Sequence, residues 1–244
     1  PMDGSATEFH FSPQQANAIK AVAYWLENDT KTQQIFRLFG YAGTGKTTIA
    51  KFLAADLDGD TCFAAFTGKA ALMMKRNGCS EASTIHSLIY QVVEKPDGQV
   101  EFVLDPDSPA SDAALIVIDE CSMVDEDLGK DLLSYGKPIL VLGDPAQLPP
   151  VKSAGFFTEA DPDVMLTEIH RQAEGNPIIQ LATAVRLGQP LEYGTYGESR
   201  IVKRGTLTPD EILSADQLLV GKNATRRAFN TRIRKMKGFQ GLAP

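Results

Sequence analysis

The amino-acid sequence predicts an α/β fold built on a doubly wound parallel sheet. Three observations carry that expectation. The runs Ile35-Phe36-Arg37-Leu38-Phe39, Thr61-Cys62-Phe63-Ala64-Ala65-Phe66, Ala114-Leu115-Ile116-Val117-Ile118 and Pro138-Ile139-Leu140-Val141-Leu142 read as buried strands. Helical segments alternate with them, as crossover connections in a parallel sheet require. Between the first strand and the helix after it, Gly40-Tyr41-Ala42-Gly43-Thr44-Gly45-Lys46-Thr47 has the form G-x-x-x-x-G-K-[ST].

The chain opens on a capped helix. Ser12 is placed as N-cap and Pro13 as the first helical residue, and Ala18, Val22, Trp25 and Leu26 recur at helical spacing as a buried stripe. Gln15, at this helix start, has an amide that could read adenine, although a glutamine so placed is more often a surface residue. Residues 1–8, beginning Pro1-Met2-Asp3-Gly4-Ser5, read as vector-derived or disordered and are set aside.

In the glycine loop, backbone N–H groups turn inward around phosphate oxygens, and the N-terminus of the helix Thr48–Ala55 adds partial positive charge. Gly43, Thr44, Gly45, Lys46, Thr47 and Thr48 are the expected nucleotide ligands, with Lys46 on the β- and γ-phosphates and the Thr47 hydroxyl on Mg²⁺. The motif, in its strand-loop-helix setting, predicts a site for a nucleoside triphosphate.

After the strand at Thr61–Phe66, Thr67 leads into a short helix ending near Asn77-Gly78, and Ser83-Thr84 caps another from Ile85 to Tyr90. Two β-prone runs between Gln91 and Leu104 flank the turn Lys95-Pro96-Asp97-Gly98, predicting an inserted hairpin, and Asp105–Pro109 returns the chain to the sheet. The run at 114–118 ends in Asp119-Glu120, the Walker B arrangement of acids at the carboxyl edge of a parallel sheet. Asp119 is expected to hold Mg²⁺ through water, and Glu120 to orient or deprotonate an attacking water. An acidic helix cap is the plainer reading, since Asp125-Glu126-Asp127 starts another helix, but a second acid directly after the strand favours chemistry. Farther on, Leu166–Arg171 precedes a helix from about Asn176 to Leu187, closed by Gly188. A strand is then expected near Gln217-Leu218-Leu219-Val220, followed by a basic helix from Thr225 to Lys237.

The composition, 43% hydrophobic and 23% charged over 244 residues, is that of a soluble globular protein. No apolar run reaches the length of a membrane span and no secretory signal opens the chain, so a cytoplasmic protein with no membrane partner is expected. Cys62, Cys79 and Cys121 are odd in number and lack metal-ligand spacing; Cys62 and Cys121 sit in apolar stretches as small buried hydrophobes. His10, His86 and His170 are scattered, which argues against zinc. The net charge of −7 speaks against a nucleic-acid partner, but its distribution does not. Arg200 to Lys237 holds ten of the 24 basic residues and three of the 31 acids, a basic stretch that could track a phosphate backbone or simply be a solvated helix face.

Together these pieces resemble the superfamily 1 DNA helicases of the 5′→3′ branch, RecD-like and phage Dda-like, from Phe11 to about Lys237. Gly40–Thr47 stands as motif I; Phe66-Thr67-Gly68-Lys69-Ala70-Ala71 is similar to motif Ia and Ser83-Thr84-Ile85-His86-Ser87-Leu88 to motif Ib. Asp119-Glu120-Cys121-Ser122-Met123 is close to the D-E-x-S-M form of motif II. Gly143-Asp144-Pro145-Ala146-Gln147-Leu148-Pro149-Pro150-Val151 follows the G-D-x-x-Q-L-P-P-V of motif III and is the most diagnostic stretch. The resemblance implies that Gln15 reads adenine and that Lys46, Glu120, Gln147 and Arg171 are catalytic. Gln147 would touch both the γ-phosphate region and the DNA side, and Arg171 would stabilise charge on the transferred phosphoryl group. Thr67, Lys69, Thr84 and His86 would meet single-stranded DNA. Phe102, on the second arm of the pin, would stack at the fork, unless it buries itself as the hairpin's apolar anchor.

The implied organisation is a RecA-like P-loop NTPase domain (1A) over residues 9–215, with 91–106 as an inserted 1B pin. Residues 216–244 would begin an incomplete second RecA-like domain (2A). The family's T-x-H-x-x-Q-G motif and motif VI have no counterpart, and Gly68 replaces a larger residue found in some relatives. The implied function is ATP hydrolysis with Mg²⁺, coupled to movement on single-stranded DNA and unwinding of fork DNA. A monomer is implied, with replication or repair proteins as further partners. The competing readings are a nucleotide-gated DNA-binding or accessory subunit without full motor activity, and a P-loop phosphotransferase.

Overall fold

The structure, a computed structural model, describes residues 10–147, 155–168 and 175–239. Contacts divide the chain into one compact unit up to Ile179 and a second from Gln180 onward. This division falls earlier than the 215/216 boundary expected from the motifs.

The first unit holds a six-stranded parallel sheet. Its strands are β1 (Ile35–Gly40), β2 (Thr61–Ala65), β3 (Ser83–Thr84), β6 (Leu115–Asp119), β7 (Ile139–Gly143) and β8 (Val164–Leu166), in the order β3-β2-β6-β7-β1-β8. The registers Phe63↔Val117, Val117↔Leu140 and Leu38↔Leu142 align the middle of the sheet. Alternation along each strand then fills two cores. Leu38, Leu115, Val117, Leu140 and Leu142 point to one face, which is covered by α1 (Pro13–Asn28) through Ala18, Val22 and Trp25 and by α2 (Lys46–Ala55) through Ile49, Ala50 and Leu53. Ile116, Ile118, Ile139 and Val141 point to the other, under α4 (Ile85–Ile89) and α5 (Glu126–Ser134). Burial on both faces is why these strands are continuous apolar runs. The doubly wound α/β expectation holds.

The cap reading at the chain's start also holds. Ser12 Oγ accepts from the Gln15 N–H, Gln15 Oε1 accepts from the Ser12 N–H, and Pro13 opens the helix. Between α2 and β3 lies α3 (Gly68–Arg76), N-capped by Thr67. The inserted hairpin forms from β4 (Tyr90–Glu94) and β5 (Val100–Leu104), paired antiparallel with Val92 opposite Phe102. Its foot is fixed by the Tyr135 hydroxyl, whose one proton is shared between the carbonyls of Asp105 (2.6 Å) and Ile89 (3.1 Å), and by Tyr90, whose hydroxyl donates to Asp131.

The helix α6 (Pro177–Arg186) crosses the division between units. The second unit then contains the short antiparallel pair β9 (Gly194–Tyr196) and β10 (Ser199–Ile201), α7 (Pro209–Ser214) and the basic helix α8 (Asn223–Met236).

Two expectations need correction. Gln217–Val220 is not a strand: it has no regular structure, and Leu219 is 80% exposed. β-prone side chains make a strand only where a second backbone offers its hydrogen bonds, and none of the described residues does so there. Cys62 is only half-buried, on the outer part of β2, whereas Cys79 is the buried thiol alongside Cys121. Cys79 packs with Met74, Ala71 and Ala82 beneath α3, a contact that linear spacing does not encode.

Candidate nucleotide site

The phosphate loop joins the carboxyl end of β1 to the N-terminus of α2. Gly43 and Gly45 take left-handed φ values of 79° and 85°, which residues with a side chain rarely adopt. Gly40 backs onto β8, and a Cβ there would lie 2.7 Å from both Leu166 Cβ and Thr44 Oγ1. Thr44 is fully buried, and its hydroxyl and N–H both donate to the Tyr41 carbonyl, at 2.8 and 3.3 Å. The Lys46 ammonium donates to the carbonyls of Gly40 (2.7 Å) and Tyr41 (3.1 Å), so the cation lies in the fold of the loop. Thr48 lies in the first turn of α2 and is half-buried.

The acids at the end of β6 meet this loop. Thr47 Oγ1 donates to Asp119 Oδ2 at 2.9 Å, and Asp119 Oδ1 accepts the Glu120 N–H at 2.9 Å. Both carboxylate oxygens of Asp119 are therefore oriented. Thr47 and Asp119 are hard oxygen donors side by side, the donor chemistry that suits Mg²⁺. Glu120 has φ 55°, the sole non-glycine residue with positive φ among those described. Strain of this kind amounts to about 1–3 kcal/mol and concentrates at functional sites.

Desolvation pushes the Glu120 carboxyl above the usual carboxylate range, and the charge of Asp119 pushes it further. A hydrogen bond from Gln147 and the charge of Lys46 act in the opposite sense. The Ser122 hydroxyl donates to Gln147 Oε1 at 3.4 Å. Gln147 itself is presented by a turn after β7, where the buried Asp144 accepts from the N–H groups of Ala146 through Oδ1 (2.9 Å) and of Gln147 through its carbonyl (3.0 Å). Lys46, Thr47, Asp119, Glu120 and Gln147 are thus brought together. Arg171 and the Leu148–Val151 end of the Gly143–Val151 stretch lie outside the described residues.

Gln15 is 5% exposed, not a surface residue. Besides its cap bond, its Nε2 donates to the Thr44 carbonyl at 2.9 Å, so its amide braces the phosphate loop. Sequence reasoning missed its neighbour. Gln14 Oε1 accepts from the N–H groups of Thr167 (2.8 Å) and Glu168 (2.9 Å), just after β8. No local pattern signals a bond across such a separation in the chain.

The residues expected to meet DNA lie at the same carboxyl edge of the sheet. Thr67 follows β2 and caps α3, with Lys69 exposed in its first turn; Thr84 ends β3 and caps α4. The exposed His86 ring stands 6.1 Å from Phe66 and 5.7 Å from Tyr90, centroid to centroid. Phe102 is away from these, on the hairpin, and at 64% exposure it is not a buried anchor. Across the sheet order the edge reads Thr84, Thr67, Asp119-Glu120, Gln147, the phosphate loop, then Thr167.

A model of the AAA domain family matches residues 10–206. The chain belongs to the AAA domain family. It is 36% identical over 167 residues to the ATP-dependent RecD2 DNA helicase of Deinococcus radiodurans, covering 64% of this chain and 22% of the relative. It is 38% identical over 168 residues to the ATP-dependent DNA helicase Dda of Enterobacteria phage T4, covering 62% of this chain and 37% of the relative. The chain thus spans between a fifth and two fifths of these relatives. Among solved structures, the Pif1 helicase from Bacteroides in complex with ADP-AlF3 and ssDNA is similar in fold. It has a TM-score of 0.57 and 22% identity, over 97% of this chain and 59% of that one. RecD-like and Dda-like superfamily 1 helicases are therefore the relatives of this AAA domain chain, as the motifs implied.

Proposed function

We propose that the chain is the ATP-hydrolysing part of a DNA helicase that moves 5′→3′ on single-stranded DNA and opens fork DNA. One observation carries this reading. The Glu120–Gln147 pair stands on the sheet edge between the phosphate loop and the Thr67 and Thr84 caps, so a change at the γ-phosphate would pass toward the DNA side by way of the Gln147 amide.

In hydrolysis, a water oxygen bonds to the γ-phosphorus while the bond to the β,γ-bridging oxygen breaks. Glu120 orients that water and takes its proton, and its raised carboxyl suits a proton acceptor better than an ordinary surface acid. Lys46 leaves its loop carbonyls for the β- and γ-phosphate oxygens, and the loop's N–H groups bind the remaining phosphate charge. Thr47 and Asp119 would hold Mg²⁺, which when bound neutralises charge on the phosphates. Arg171 would add charge stabilisation on the transferred group, and Gln15 would serve adenine only by sharing an amide that already braces the loop. Thr67, Lys69, Thr84 and His86 are assigned to the DNA backbone, and residues 216–244 to the start of a second RecA-like domain. The fold match over nearly the whole chain supports that last assignment.

The test is ATP turnover with and without an oligo-dT single strand. Stimulation by the strand is expected, and it should weaken with salt as phosphate contacts do. Turnover indifferent to DNA would overturn the coupling, and transfer of phosphate to a small molecule instead of water would replace the whole reading.

A further inference from the structure

Gln14 and Gln15 are adjacent in the first turn of α1, yet each holds a different segment of the site. Gln15 takes the phosphate loop through the Thr44 carbonyl. Gln14 takes the chain as it leaves β8: its Oε1 accepts both the Thr167 and Glu168 N–H groups, and its Nε2 donates to Thr167 Oγ1 at 3.1 Å. Ser12, the cap of the same helix, donates from its hydroxyl to Glu168 Oε2 at 2.8 Å. Two further contacts lock the two segments to each other, since the Tyr41 N–H donates to the Leu166 carbonyl (3.1 Å) and Gly40 has no Cβ to hold Leu166 away.

Successive N–H groups converging on one oxygen fix the direction of the main chain, because both peptide planes must tilt toward the same acceptor. A solvated glutamine bonded to nothing but water would leave that direction free. We propose that Gln14 is a positioning residue: with Gln15 it makes the start of α1 a brace that keeps the phosphate loop and the Thr167-Glu168 chain in fixed relation. Its consequence for catalysis rests on the proposed ATP site, and lies in holding the phosphate loop against the end of β8.

The experiment is residue-resolved amide exchange by NMR on the nucleotide-free chain, with ATP kinetics alongside, for the parent, Gln14→Met and Gln14→Glu. Methionine keeps the length and loses the acceptor; a glutamate carboxylate still accepts both N–H groups. In Gln14→Met, exchange at Thr167 and Glu168 should quicken about tenfold, the scale of one or two lost hydrogen bonds, while the amides of β6 and β7 stay unchanged. Gln14→Glu should restore most of the protection. In turnover, Gln14→Met should lower kcat about tenfold and move KM less than about threefold, since a misplaced segment affects the reacting complex more than phosphate binding. Unchanged exchange at Thr167 and Glu168, or a Gln14→Glu variant no better than methionine, overturns the brace. Faster exchange throughout the sheet would show a general loss of stability instead and overturn it equally. A parent that neither binds nor hydrolyses ATP removes the site reading, and the brace then stands or falls on the exchange alone.

Discussion

The two compact units are held by different physics. In the first, Leu115 to Ile118 and Ile139 to Leu142 are fully buried, and each strand is covered from both sides by residues distant in sequence. In the second, none of the described residues is fully buried. Its apolar side chains, among them Leu207, Ile212, Phe229, Ile233 and Met236, line a groove of about 470 Å³ beside Lys203, Arg204 and Arg232. What organises that unit is local. Thr208 caps α7 in a reciprocal box with Glu211, and Arg200 pairs with Glu211. The contrast teaches where strain can be kept. Glu120, the sole non-glycine residue with positive φ among those described, sits on the unit whose core is dense enough to hold it.

The largest effects should come from the site on that dense core, and they should be chemical. Lys46→Ala and Glu120→Gln should each lower ATP turnover about a thousandfold or more, the scale of losing a charge-stabilising or water-orienting group. Lys46→Ala should also weaken ATP binding, while Glu120→Gln should keep it. Both variants should melt cooperatively, because neither side chain belongs to the core. Turnover surviving in either one would remove its residue from the mechanism, and a collapsed fold would show that site and core are not separable.

Stability draws the contrast next. Leu140→Ala empties a fully buried position between helices and sheet and should cost about 2–5 kcal/mol in urea unfolding. Phe229→Ala, in the groove of the second unit, should cost less than about 2 kcal/mol, since much of that ring's surroundings is already open. Equal costs would mean that the second unit has a core after all.

Much of the first unit was legible because its signals are local or periodic. The glycine loop, the Ser12 cap, the Lys95–Gly98 turn and the Asp119-Glu120 pair each declare themselves within a few residues. Fully buried strands declare themselves as unbroken apolar runs. What stayed hidden depends on distant partners. Ser83–Thr84 and Val164–Leu166 are too short to read as strands and exist by pairing with β2 and β1. Gln217–Val220 shows the converse, strand-like residues without a partner strand among the described residues. Within the site, the spacing of the motifs pointed to Lys46, Thr47, Asp119, Glu120 and Gln147, which the fold brings together. It could not foretell that Gln15 would be consumed by bracing, that Glu120 would be left-handed, or that Gln14 would reach Thr167.

The β4–β5 hairpin belongs to the first unit but resembles the second in character. Val92 and Phe102 oppose each other, both more than 60% exposed, and the Lys95–Glu101 pair at 2.8 Å is solvated and worth little. With little burial to lose, Phe102→Ala should leave the melting curve nearly unchanged. If the ring stacks on a base at the fork, worth roughly 1–3 kcal/mol per base, strand separation should fall severalfold while DNA-stimulated ATP turnover holds. Equal loss of both activities, or an earlier melt, would return Phe102 to the role of an anchor.

The smallest effect is the pH dependence of two glutamates, one in each unit, which should have opposite signs. Glu211 is held down to about 2 by the Thr208 N–H, Arg200 and the Thr208 hydroxyl. Folding therefore favours its ionised form, a contribution present above the unfolded pKa and lost as pH falls through the folded one. Glu120 is shifted upward by desolvation and by Asp119, so folding favours its protonated form. That contribution is complete below the unfolded pKa and is lost as pH rises through the folded value, leaving an ionised Glu120 that disfavours the fold at neutral pH. Glutamine has the same length and backbone preference but no charge. Glu120→Gln should therefore stabilise the first unit by less than about 1 kcal/mol at neutral pH, a small figure because solvent still reaches the carboxylate and screens it. The gain should fade as the pH is lowered to about 3, where the glutamate is protonated as well. Urea unfolding across that range, followed by near-ultraviolet signals of Trp25, reads the first unit directly. A gain that is constant with pH would assign the effect to something other than charge, and a loss at neutral pH would mean that Glu120 is stabilised by Lys46 and Gln147 more than burial and Asp119 oppose it.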